Sequence, residues 1–413
     1  MRIAVIGTGI SGMTAAYLVH PHHEIAVFEA ADRVGGHAHT VDVDDAAGRL
    51  AVDTGFIVCN DRTYPNFLKI LSQIGVAPQP SDMSFSVRCD ATGLEYSGGT
   101  WNGLFAQRRN LLRPSFYRML AGIVRFNREA LRLLEEPAPG PALGDYLRRE
   151  RYGEEFVERY VLPMGAAIWS STPSQILEFP ARSFVEFFRN HGLLEVFNRP
   201  QWFTIPGGSR TYVQKLTSSY RDRIRLSTPV LSIRREAEGA LVRSGPGEER
   251  FDHVILATHS DQALRMLVDA TPGEREILSA LPYQENDAVL HCDTSAMPKA
   301  RRAWSSWNSH LPAQPVERAT VTYWMNRLQR LTARKDYYVT LNRQASIAPN
   351  TIVGRYVYHH PVFRQEGVAA QKRWSEVSGK NRVSFCGAYW GYGFHEDGVN
   401  SALRAVEALG GRL

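Results

Sequence analysis

The sequence predicts an α/β protein whose sheet begins with a βαβ unit. Two short apolar runs, residues 2–6 and 25–28, have the composition of buried parallel strands. Between them, residues 13–20 are apolar on most sides, as expected of a crossover helix packed on a sheet. The motif Gly7-Thr8-Gly9-Ile10-Ser11-Gly12 lies where the first run ends. Its spacing and position are those of a dinucleotide-binding turn, so we predict that this unit binds a nucleotide.

Each glycine of the motif has a separate predicted role. Gly7 makes the tight turn, Gly9 lets backbone N–H groups approach a pyrophosphate, and Gly12 permits close packing of helix on strand. The phosphates then lie at the helix N-terminus, beside Ile10-Ser11, where unpaired N–H groups and the helix dipole favour negative charge. Glu29 ends the second run and is placed to accept hydrogen bonds from a ribose 2′-OH, whereas an NADP site would favour a cation there.

The residues after this carboxylate narrow the choice of nucleotide. Residues 29–36, EAADRVGG, resemble the E-x-x-x-R-x-G-G extension of the flavin amine oxidase superfamily, which includes amine oxidases, protoporphyrinogen oxidase and phytoene-type desaturases. Residues 52–56, VDTGF, resemble the turn that lies beside the flavin ring in that superfamily. The superfamily usually has arginine after the glycine pair, but this chain has His37. This difference weakens the case that the chain is an ordinary amine oxidase, but it does not weaken the case that the chain binds FAD. The cofactor contacts implied in this part are Glu29, Ala30, Arg33, Gly35, Gly36, His37, Thr54, Gly55 and Phe56.

Three further stretches resemble the same superfamily. Residues 202–209, WFTIPGGS, resemble its P-x-G-G element, residues 252–258 its D-x-V-I-x-A-T strand, and residues 383–398 its final strand and glycine-rich loop. The last helix, predicted at 399–409, points its N-terminus at the flavin in that superfamily. No cysteine lies where monoamine oxidases attach FAD, so the resemblance implies non-covalent FAD. The contacts implied here are Val230, Ala257, Thr258, Gly387, Ala388, His395, Gly398 and Val399.

These matches also predict the domain organisation. Residues 1–60, 202–268 and 375–413 are predicted to form a Rossmann-type FAD-binding domain, and residues 61–201 and 269–374 an intertwined α+β substrate domain, as in amine oxidase-like two-domain flavoproteins. Residues 61–201 are predicted to be mostly helical. Alternating patterns at 287–292, 320–324, 337–341 and 355–358 predict an antiparallel sheet.

Composition predicts a cytoplasmic protein. Of the 413 residues 44% are hydrophobic, yet no apolar run approaches the roughly 20 residues that cross a bilayer. The first strand begins at once, which leaves no room for a signal peptide. The four cysteines have no paired spacing, so we expect neither disulfides nor a structural zinc, and the histidine spacings match no metal-ligand pattern.

Arginines are concentrated in one segment, residues 103–134. Leucine, phenylalanine, methionine, isoleucine and valine lie between them at roughly helical spacing, and a single Glu129 opposes them. One interpretation is an amphipathic helix with solvated arginines, and the other is a basic surface that rests on anionic lipid, with the protein peripheral at the inner face of the membrane. No nucleic-acid-binding module accompanies the charge. The arginines are Arg108, Arg109, Arg113, Arg118, Arg125, Arg128 and Arg132.

Histidines are the predicted catalytic bases. Amine oxidases carry a lysine near flavin N5, and the stretch of this chain that resembles its strand, residues 288–292, has His291 there. His395 lies in the loop before the final helix, where amine oxidases place an aromatic ring. A histidine suits dehydrogenation because it can accept a proton near neutral pH.

A closer resemblance bears on the substrate. The stretches at 53–67 (DTGFIVCNDRTYPNF), 80–87, 102–114, 321–329 and 386–403 resemble a bacterial flavoprotein branch found beside cyclopropane-fatty-acid-synthase-like methyltransferases. That branch includes a desaturase of methylated fatty acyl chains in furan fatty acid synthesis. The resemblance implies dehydrogenation of a methyl-branched, unsaturated acyl chain, with hydride transfer to flavin N5 and a lipid methyltransferase as a partner. Two alternatives stay open, an oxidase of a small soluble amine and a non-catalytic FAD-bearing subunit.

Overall fold

The computed structural model describes residues 1–195, 197–245, 247–314 and 318–413. The strands, in chain order, are β1 (Arg2–Ile6), β2 (Glu24–Phe28), β3 (Thr40–Asp45), β4 (Gly48–Asp53), β5 (Cys59–Asn60), β6 (Gln79–Ser81), β7 (Phe85–Cys89), β8 (Leu94–Ser97), β9 (Trp202–Thr204), β10 (Ile224–Arg225), β11 (Val230–Glu236), β12 (Gly239–Ser244), β13 (Gly247–Phe251), β14 (His253–Leu256), β15 (Tyr283–His291), β16 (Trp307–Leu311), β17 (Thr320–Trp324), β18 (Tyr338–Leu341), β19 (Ile352–Pro361) and β20 (Val383–Phe385). The α-helices are α1 (Ile10–Val19), α2 (Pro65–Gln73), α3 (Trp101–Leu104), α4 (Pro114–Glu129), α5 (Leu143–Arg149), α6 (Glu154–Phe156), α7 (Leu162–Trp169), α8 (Pro173–Glu178), α9 (Ala181–Asn190), α10 (Arg210–Thr217), α11 (Ser260–Met266), α12 (Pro272–Ser279), α13 (Met325–Leu328), α14 (Gln365–Lys372), α15 (Trp374–Val377) and α16 (His395–Val406).

A parallel sheet with the order β10-β2-β1-β14-β20 carries the nucleotide motifs. Its central strand β1 is buried on both faces, as its continuous apolar sequence predicts. Ile3 and Val5 pack with α1 and α16 on one face, and Ala4 and Ile6 pack with β14 and α11 on the other. This is the predicted Rossmann-type α/β arrangement, and it brings the carboxyl ends of β1, β2 and β14 to one edge.

A second, mixed sheet forms the other side of the molecule, with the order β19-β15-β18-β17-β16-β7-β8. The four strands predicted between residues 287 and 358 are present as β15, β17, β18 and β19. They pair antiparallel, as expected, whereas β16 pairs parallel with β7. Residues 61–201 are mostly helical, as predicted, but β7 and β8 from that segment complete this sheet. Each of these strands is only four or five residues long, and the helical pattern around them masks their alternation.

Helices α4 to α9 surround a core of their own. Phe126, Phe156, Phe184 and Phe188 are among the buried rings in that core, and Phe363 reaches it from the residues after β19. The predicted helix at 13–20 begins earlier, at Ile10, and the predicted helix at 399–409 begins at His395. In the described residues, no helix combines the length and the apolar character that a membrane span requires.

Candidate active site

A cavity of about 1060 Å³ runs from the carboxyl edge of the parallel sheet to the inner face of the mixed sheet. Its first part is lined by backbone turns and its second part by apolar and aromatic side chains. Most of the predicted cofactor contacts line it: Gly7, Gly9, Ile10, Ser11, Glu29, Ala30, Gly35, Gly36, His37, Thr54, Gly55, Phe56, Val230, Ala257, Thr258, Gly387, Ala388 and His395. Residues from six separate stretches of the chain thus meet around one space.

The glycine turn shapes the nucleotide end of this cavity. A Cβ at Gly12 would lie 1.9 Å from the Gly7 carbonyl oxygen, so α1 packs on the turn only because this residue is glycine. A Cβ at Gly9 would meet no atom within 4 Å and would project into open space. The N-terminus of α1 carries no side-chain cap and lies at the cavity. It therefore has free N–H groups of the kind that bind a pyrophosphate.

Glu29 lies at the end of β2, in the cavity wall. Its carboxylate accepts hydrogen bonds from the Thr8 N–H, at 2.9 Å, and from the Thr8 hydroxyl. Its other oxygen accepts one from the Ala31 N–H at 2.9 Å. A carboxylate has about four acceptor positions, so these bonds leave capacity for a ribose hydroxyl.

Four predicted cofactor contacts do not line the cavity. Gly12 and Gly398 lie behind it and permit close packing, because a Cβ at Gly398 would lie 2.6 Å from Ile10 Cγ2. Val399 is fully buried in the core between α16 and α2. Arg33 donates to the carbonyl oxygens of Gly36, at 2.8 Å, and Ala38, at 3.4 Å, so it supports the loop and faces a separate cavity. A motif aligned by spacing includes these supporting residues together with the lining ones.

A second observation fits FAD. The Nε2 atom of His37 is buried without a hydrogen-bond partner among the described residues, and His37 lines the cavity next to the glycine pair. A buried polar atom without a partner costs free energy, which a bound group can recover. The α1 N-terminus, Glu29 and His37 together give donors and acceptors for a nucleotide along one wall. These residues would hold FAD non-covalently.

Two further histidines, His259 and His360, also surround the cavity. His37 lies 5.5 Å from His360 and 6.3 Å from His259, measured between ring centroids. Burial lowers the pKa of His37 to about 4 and the pKa values of His259 and His360 to about 3, so all three are neutral at pH 7. His259 directly follows the predicted contacts Ala257 and Thr258, and this position in the sequence indicated that it lies near the cofactor. Only the pairing of β15 with β19 brings His360 to the site.

One of these rings, His360, has a hydrogen bond that defines its tautomer. The amide of Asn286 lies 3.2 Å from His360 Nδ1 and donates to it, which leaves the proton of His360 on Nε2. His360 is then a hydrogen-bond donor toward the cavity.

Across the described residues, no group of three or more histidine, cysteine, aspartate or glutamate side chains is arranged to hold a metal ion.

His395 lines the cavity at the first residue of α16. Its ring stacks on Phe56, with 3.4 Å between centroids and 12° between planes. Its Nε2 lies 2.9 Å from the Tyr212 hydroxyl, and burial keeps its pKa well below the usual value. When Nε2–H donates to Tyr212, the Nδ1 lone pair is free to accept a proton. This side chain is thus neutral, oriented and adjacent to the predicted flavin.

The predicted role of His291 is wrong, because its side chain faces away from the cavity. Its Nε2 lies 2.7 Å from the Thr340 hydroxyl, and its Nδ1 accepts a hydrogen bond from the Asp293 N–H at 3.0 Å. The ring is fully buried, and both of its nitrogens are occupied. Side chains alternate along a strand, and Ala288 and Leu290 of β15 take the face of the core that includes Tyr323 and Tyr358. His291 therefore belongs to the opposite face.

The second part of the cavity is an apolar chamber. Its wall includes Met83, Phe85, Met164, Ile168, Phe187, Leu193, Trp202, Tyr323 and Leu341. Among the described lining residues the carboxylates are Glu29, at the nucleotide end, and Asp82. Asp82 accepts hydrogen bonds from Arg327 at 2.9 Å and from the Ser306 hydroxyl at 2.7 Å, so it is already paired.

Two indole groups of the chamber have unused donors. Trp169 and Trp307 both line it, and in the described part of the chain neither Nε1 atom has an acceptor although each is buried. Trp169 packs between Phe179 and Phe187, and Trp307 against Tyr323, so their rings are held in place. The chamber wall therefore combines apolar surface with two indole N–H groups that lack acceptors.

Comparison with known proteins decides the family. The model of the family of flavin-containing amine oxidoreductases matches residues 10–410. The chain belongs to this family. The match includes the residues of the apolar chamber, and the chain has the two-domain amine oxidase fold, with FAD as its cofactor.

The similar proteins differ in chemistry. A putative flavin-containing monoamine oxidase, AofH of Mycobacterium tuberculosis, is 26% identical over 313 residues, 74% of this chain and 65% of that protein. Coproporphyrinogen III oxidase of Mycobacterium leprae is 27% identical over 291 residues, 65% of this chain and 62% of that protein. The matched part of this family member thus spans less than two thirds of the length of either relative.

Solved structures share the fold. Cyclohexylamine oxidase from Brevibacterium oxydans has a TM-score of 0.72 and 16% identity, with 99% of this chain and 98% of that chain covered. A CLA-producing fatty acid isomerase from P. acnes has a TM-score of 0.70 and 14% identity, with 98% of each chain covered. One architecture therefore serves amine and fatty acid chemistry.

Proposed function

We propose that this flavoprotein dehydrogenates a lipid acyl chain, and that the substrate is a methyl-branched, unsaturated fatty acyl group. The observation that carries the proposal is the chamber, which combines apolar walls with the unpaired indole donors of Trp169 and Trp307. An acyl ester or carboxylate has oxygen acceptors for such donors, and its chain has apolar surface to bury.

The same features disfavour a small amine. An ammonium group can only donate hydrogen bonds, so it leaves both indole N–H groups without acceptors. The carboxylates of the described lining residues, Glu29 and Asp82, already accept hydrogen bonds from protein groups. The fatty acid isomerase of the same fold makes an acyl substrate compatible with the architecture.

In this proposal each residue of the site has a separate role in the reaction. FAD, when bound, supplies the acceptor for the hydride that leaves one carbon. His395 takes the proton from the neighbouring carbon on Nδ1, and Tyr212 holds the ring through Nε2. His360 donates a hydrogen bond, and the apolar walls exclude water from the reacting carbons. A double bond already in the chain assists by delocalising charge at the allylic position.

Anaerobic mixing of the FAD-loaded protein with candidate substrates tests the proposal. We expect a methyl-branched monounsaturated acyl phospholipid, or its free acid, to bleach the flavin absorbance near 450 nm. Cyclohexylamine and putrescine, at equal concentration, should leave it unchanged. Bleaching by the amines alone would favour the amine oxidase alternative. Absence of bleaching by every compound, with the protein loaded and folded, would favour a non-catalytic FAD-bearing subunit.

A further inference from the structure

Helix α4 and the residues before it present an unusual outer surface. Six large apolar side chains are exposed there, with exposed fractions of 79% for Trp101, 48% for Leu111, 89% for Leu112, 46% for Tyr117, 58% for Val124 and 40% for Leu131. Tyr117 and Val124 lie seven residues apart, on one side of α4, and Leu131 lies in the 3-10 turn that follows the helix. We call these six side chains, together with Arg108, Arg109, Arg113, Arg128 and Arg132, the α4 face.

The core does not account for these side chains. Phe116, Met119 and Phe126 are the residues of α4 that point inward, and all three are fully buried or nearly so. The helix therefore has an apolar inner side, which stabilises the fold, and a second set of apolar side chains that project outward. Exposed leucine and tryptophan side chains that form a patch rimmed by charge indicate a binding surface.

The charge of the α4 face is uncompensated. Arg118 and Arg125, on the flank of the helix, form ion pairs with Glu155 and Glu129. By contrast, the five arginines of the α4 face form no ion pair with any carboxylate in the described ranges. Arg109 and Arg113 donate only to the backbone carbonyls of Gly93 and Thr92. The face thus fits a partner that is anionic at its surface and apolar beneath it.

The α4 face adjoins an opening of the active-site cavity. Gly98 and Gly99 line the cavity and are solvent-exposed, and Trp101 begins α3 two residues later. Tyr96, in the cavity wall, packs against Phe116 of α4, with 5.9 Å between the ring centroids. Trp101 in turn stacks on Phe105, which lies 6.5 Å from Tyr117. A continuous set of aromatic contacts therefore joins the outer face to the cavity wall.

We propose that the α4 face docks on an anionic phospholipid bilayer, with Trp101, Leu112, Tyr117 and Val124 inserted among the lipids and the arginines at the headgroups. Tryptophan and tyrosine favour the membrane interface, and arginines beside them attract anionic lipid. Isolated apolar side chains separated by arginines suit a fluid lipid layer better than the closely packed apolar core of a protein interface. Docking in this orientation brings the Gly98–Gly99 opening to the lipid.

Flotation of the FAD-loaded protein with vesicles tests this docking. The probes are vesicles of phosphatidylglycerol and phosphatidylcholine in equal amounts, and vesicles of phosphatidylcholine alone. We expect the protein to float with the anionic vesicles in 50 mM salt, and to be largely released in 500 mM salt. Leu112→Glu, and the double variant Arg128→Gln with Arg132→Gln, should each weaken partition about tenfold or more, since each arginine near a bilayer contributes about fivefold.

Matched controls separate this surface from general charge and folding. Val268 is 55% exposed outside the α4 face, and Arg243 and Arg275 are exposed arginines without ion pairs in the described ranges. Val268→Glu, and Arg243→Gln with Arg275→Gln, should float as the wild type does. Equal loss in test and control variants would overturn the proposal. The proposal would also be overturned if the wild-type protein did not float with anionic vesicles at low salt. If the wild-type protein instead bound an acidic protein, the partner of the α4 face would be a protein.

This inference does not depend on the proposed reaction. Flotation measures binding without turnover, whereas flavin bleaching by a detergent-dispersed acyl substrate measures the reaction without a bilayer. A protein that floats but is not reduced by acyl lipids contradicts the reaction only. A protein that is reduced but does not float contradicts the docking only.

Discussion

Two histidines with opposite environments, His395 and His291, test which side chain acts as the general base. His395 lines the cavity with one ring nitrogen free, whereas His291 has both nitrogens bonded on the far face of β15. We expect His395→Ala to keep FAD and to slow flavin reduction by substrate about 10²–10⁴-fold, because a general base is lost. His291→Ala should lower the free energy of unfolding by about 1–3 kcal/mol and leave the reduction rate nearly unchanged.

Stopped-flow absorbance and chemical denaturation measure these two quantities. Tyr212→Phe keeps the packing around His395 and removes only the hydroxyl that orients it. We expect a smaller loss of rate in this variant than in His395→Ala, with FAD retained. If His395→Ala reduces at the wild-type rate, the base is another group. If it loses FAD, His395 is a cofactor ligand.

The indole donors of the chamber give a second test at the residue scale. Trp307→Phe and Trp169→Phe each remove one N–H that has no protein acceptor in the described structure. We expect each to raise the KM for an acyl substrate about 2- to 10-fold, because one hydrogen bond to the substrate is lost, with kcat little changed. Trp304→Phe is the matched control, since its Nε1 already donates to the Pro298 carbonyl at 2.7 Å. An unchanged KM in both chamber variants would show that neither indole contacts the substrate.

At the scale of one element, the turn between β1 and α1 separates packing from cofactor binding. A Cβ at Gly12 would overlap the Gly7 carbonyl, whereas a Cβ at Gly9 would project into the cavity. We expect Gly12→Ala to destabilise the protein by about 1–3 kcal/mol or more, because the helix must move off the turn. Gly9→Ala, whose backbone is extended with φ of −62°, should keep apoprotein stability and weaken FAD binding.

Thermal melts of the apoproteins and titration with FAD distinguish the two variants. The comparison is informative because both change glycine to alanine within one four-residue stretch. Equal stability of the two apoproteins would contradict the packing role of Gly12. Normal FAD affinity in Gly9→Ala would place the pyrophosphate away from this turn.

At the scale of the whole molecule, buried neutral histidines make the fold sensitive to acid. His253 joins β14 to β20, with its Nε2 2.9 Å from the Ser384 hydroxyl, and burial lowers its pKa to about 4. In the unfolded chain its pKa is about 6.5, so the unfolded state gains a proton first as the pH falls. Its contribution to stability is full above pH 6.5 and decreases as the pH drops toward 4.

We therefore expect His253→Gln to lose about 1–2 kcal/mol less stability than the wild type between pH 7.5 and 4.5. Denaturant unfolding of the FAD-loaded proteins at several pH values measures this difference. The contributions of the carboxylates to the pH dependence cancel in the comparison, because all variants share them. His22→Gln, at an exposed position, should follow the wild type. Parallel curves for His253→Gln and wild type would contradict a neutral buried imidazole.

The sequence by itself determined the Rossmann-type unit, FAD and the family, because those depend on neighbouring residues. The glycine turn and Glu29 lie within the first 29 positions, and backbone turns of that kind are encoded in consecutive residues. Four strands of the mixed sheet were also predictable from their alternation, whereas β7 and β8 lie within a helical pattern that masks it. The spacing of residues 103–134 did not distinguish a solvated helix from a lipid-binding surface. Spacing shows that apolar side chains recur along a helix, but it does not show that some of them face outward.

Only the tertiary structure decided which side chains share the active site. Asn286 and His360 are 74 positions apart and meet because β15 pairs with β19. The same strand turns His291 away, since a shift of one residue reverses the face of a strand. Trp169 comes from a helix and Trp307 from a strand, and they line one chamber only after residues 61–201 and 269–374 have packed together. Local sequence encodes backbone conformation, whereas the direction of a side chain depends on partners far along the chain.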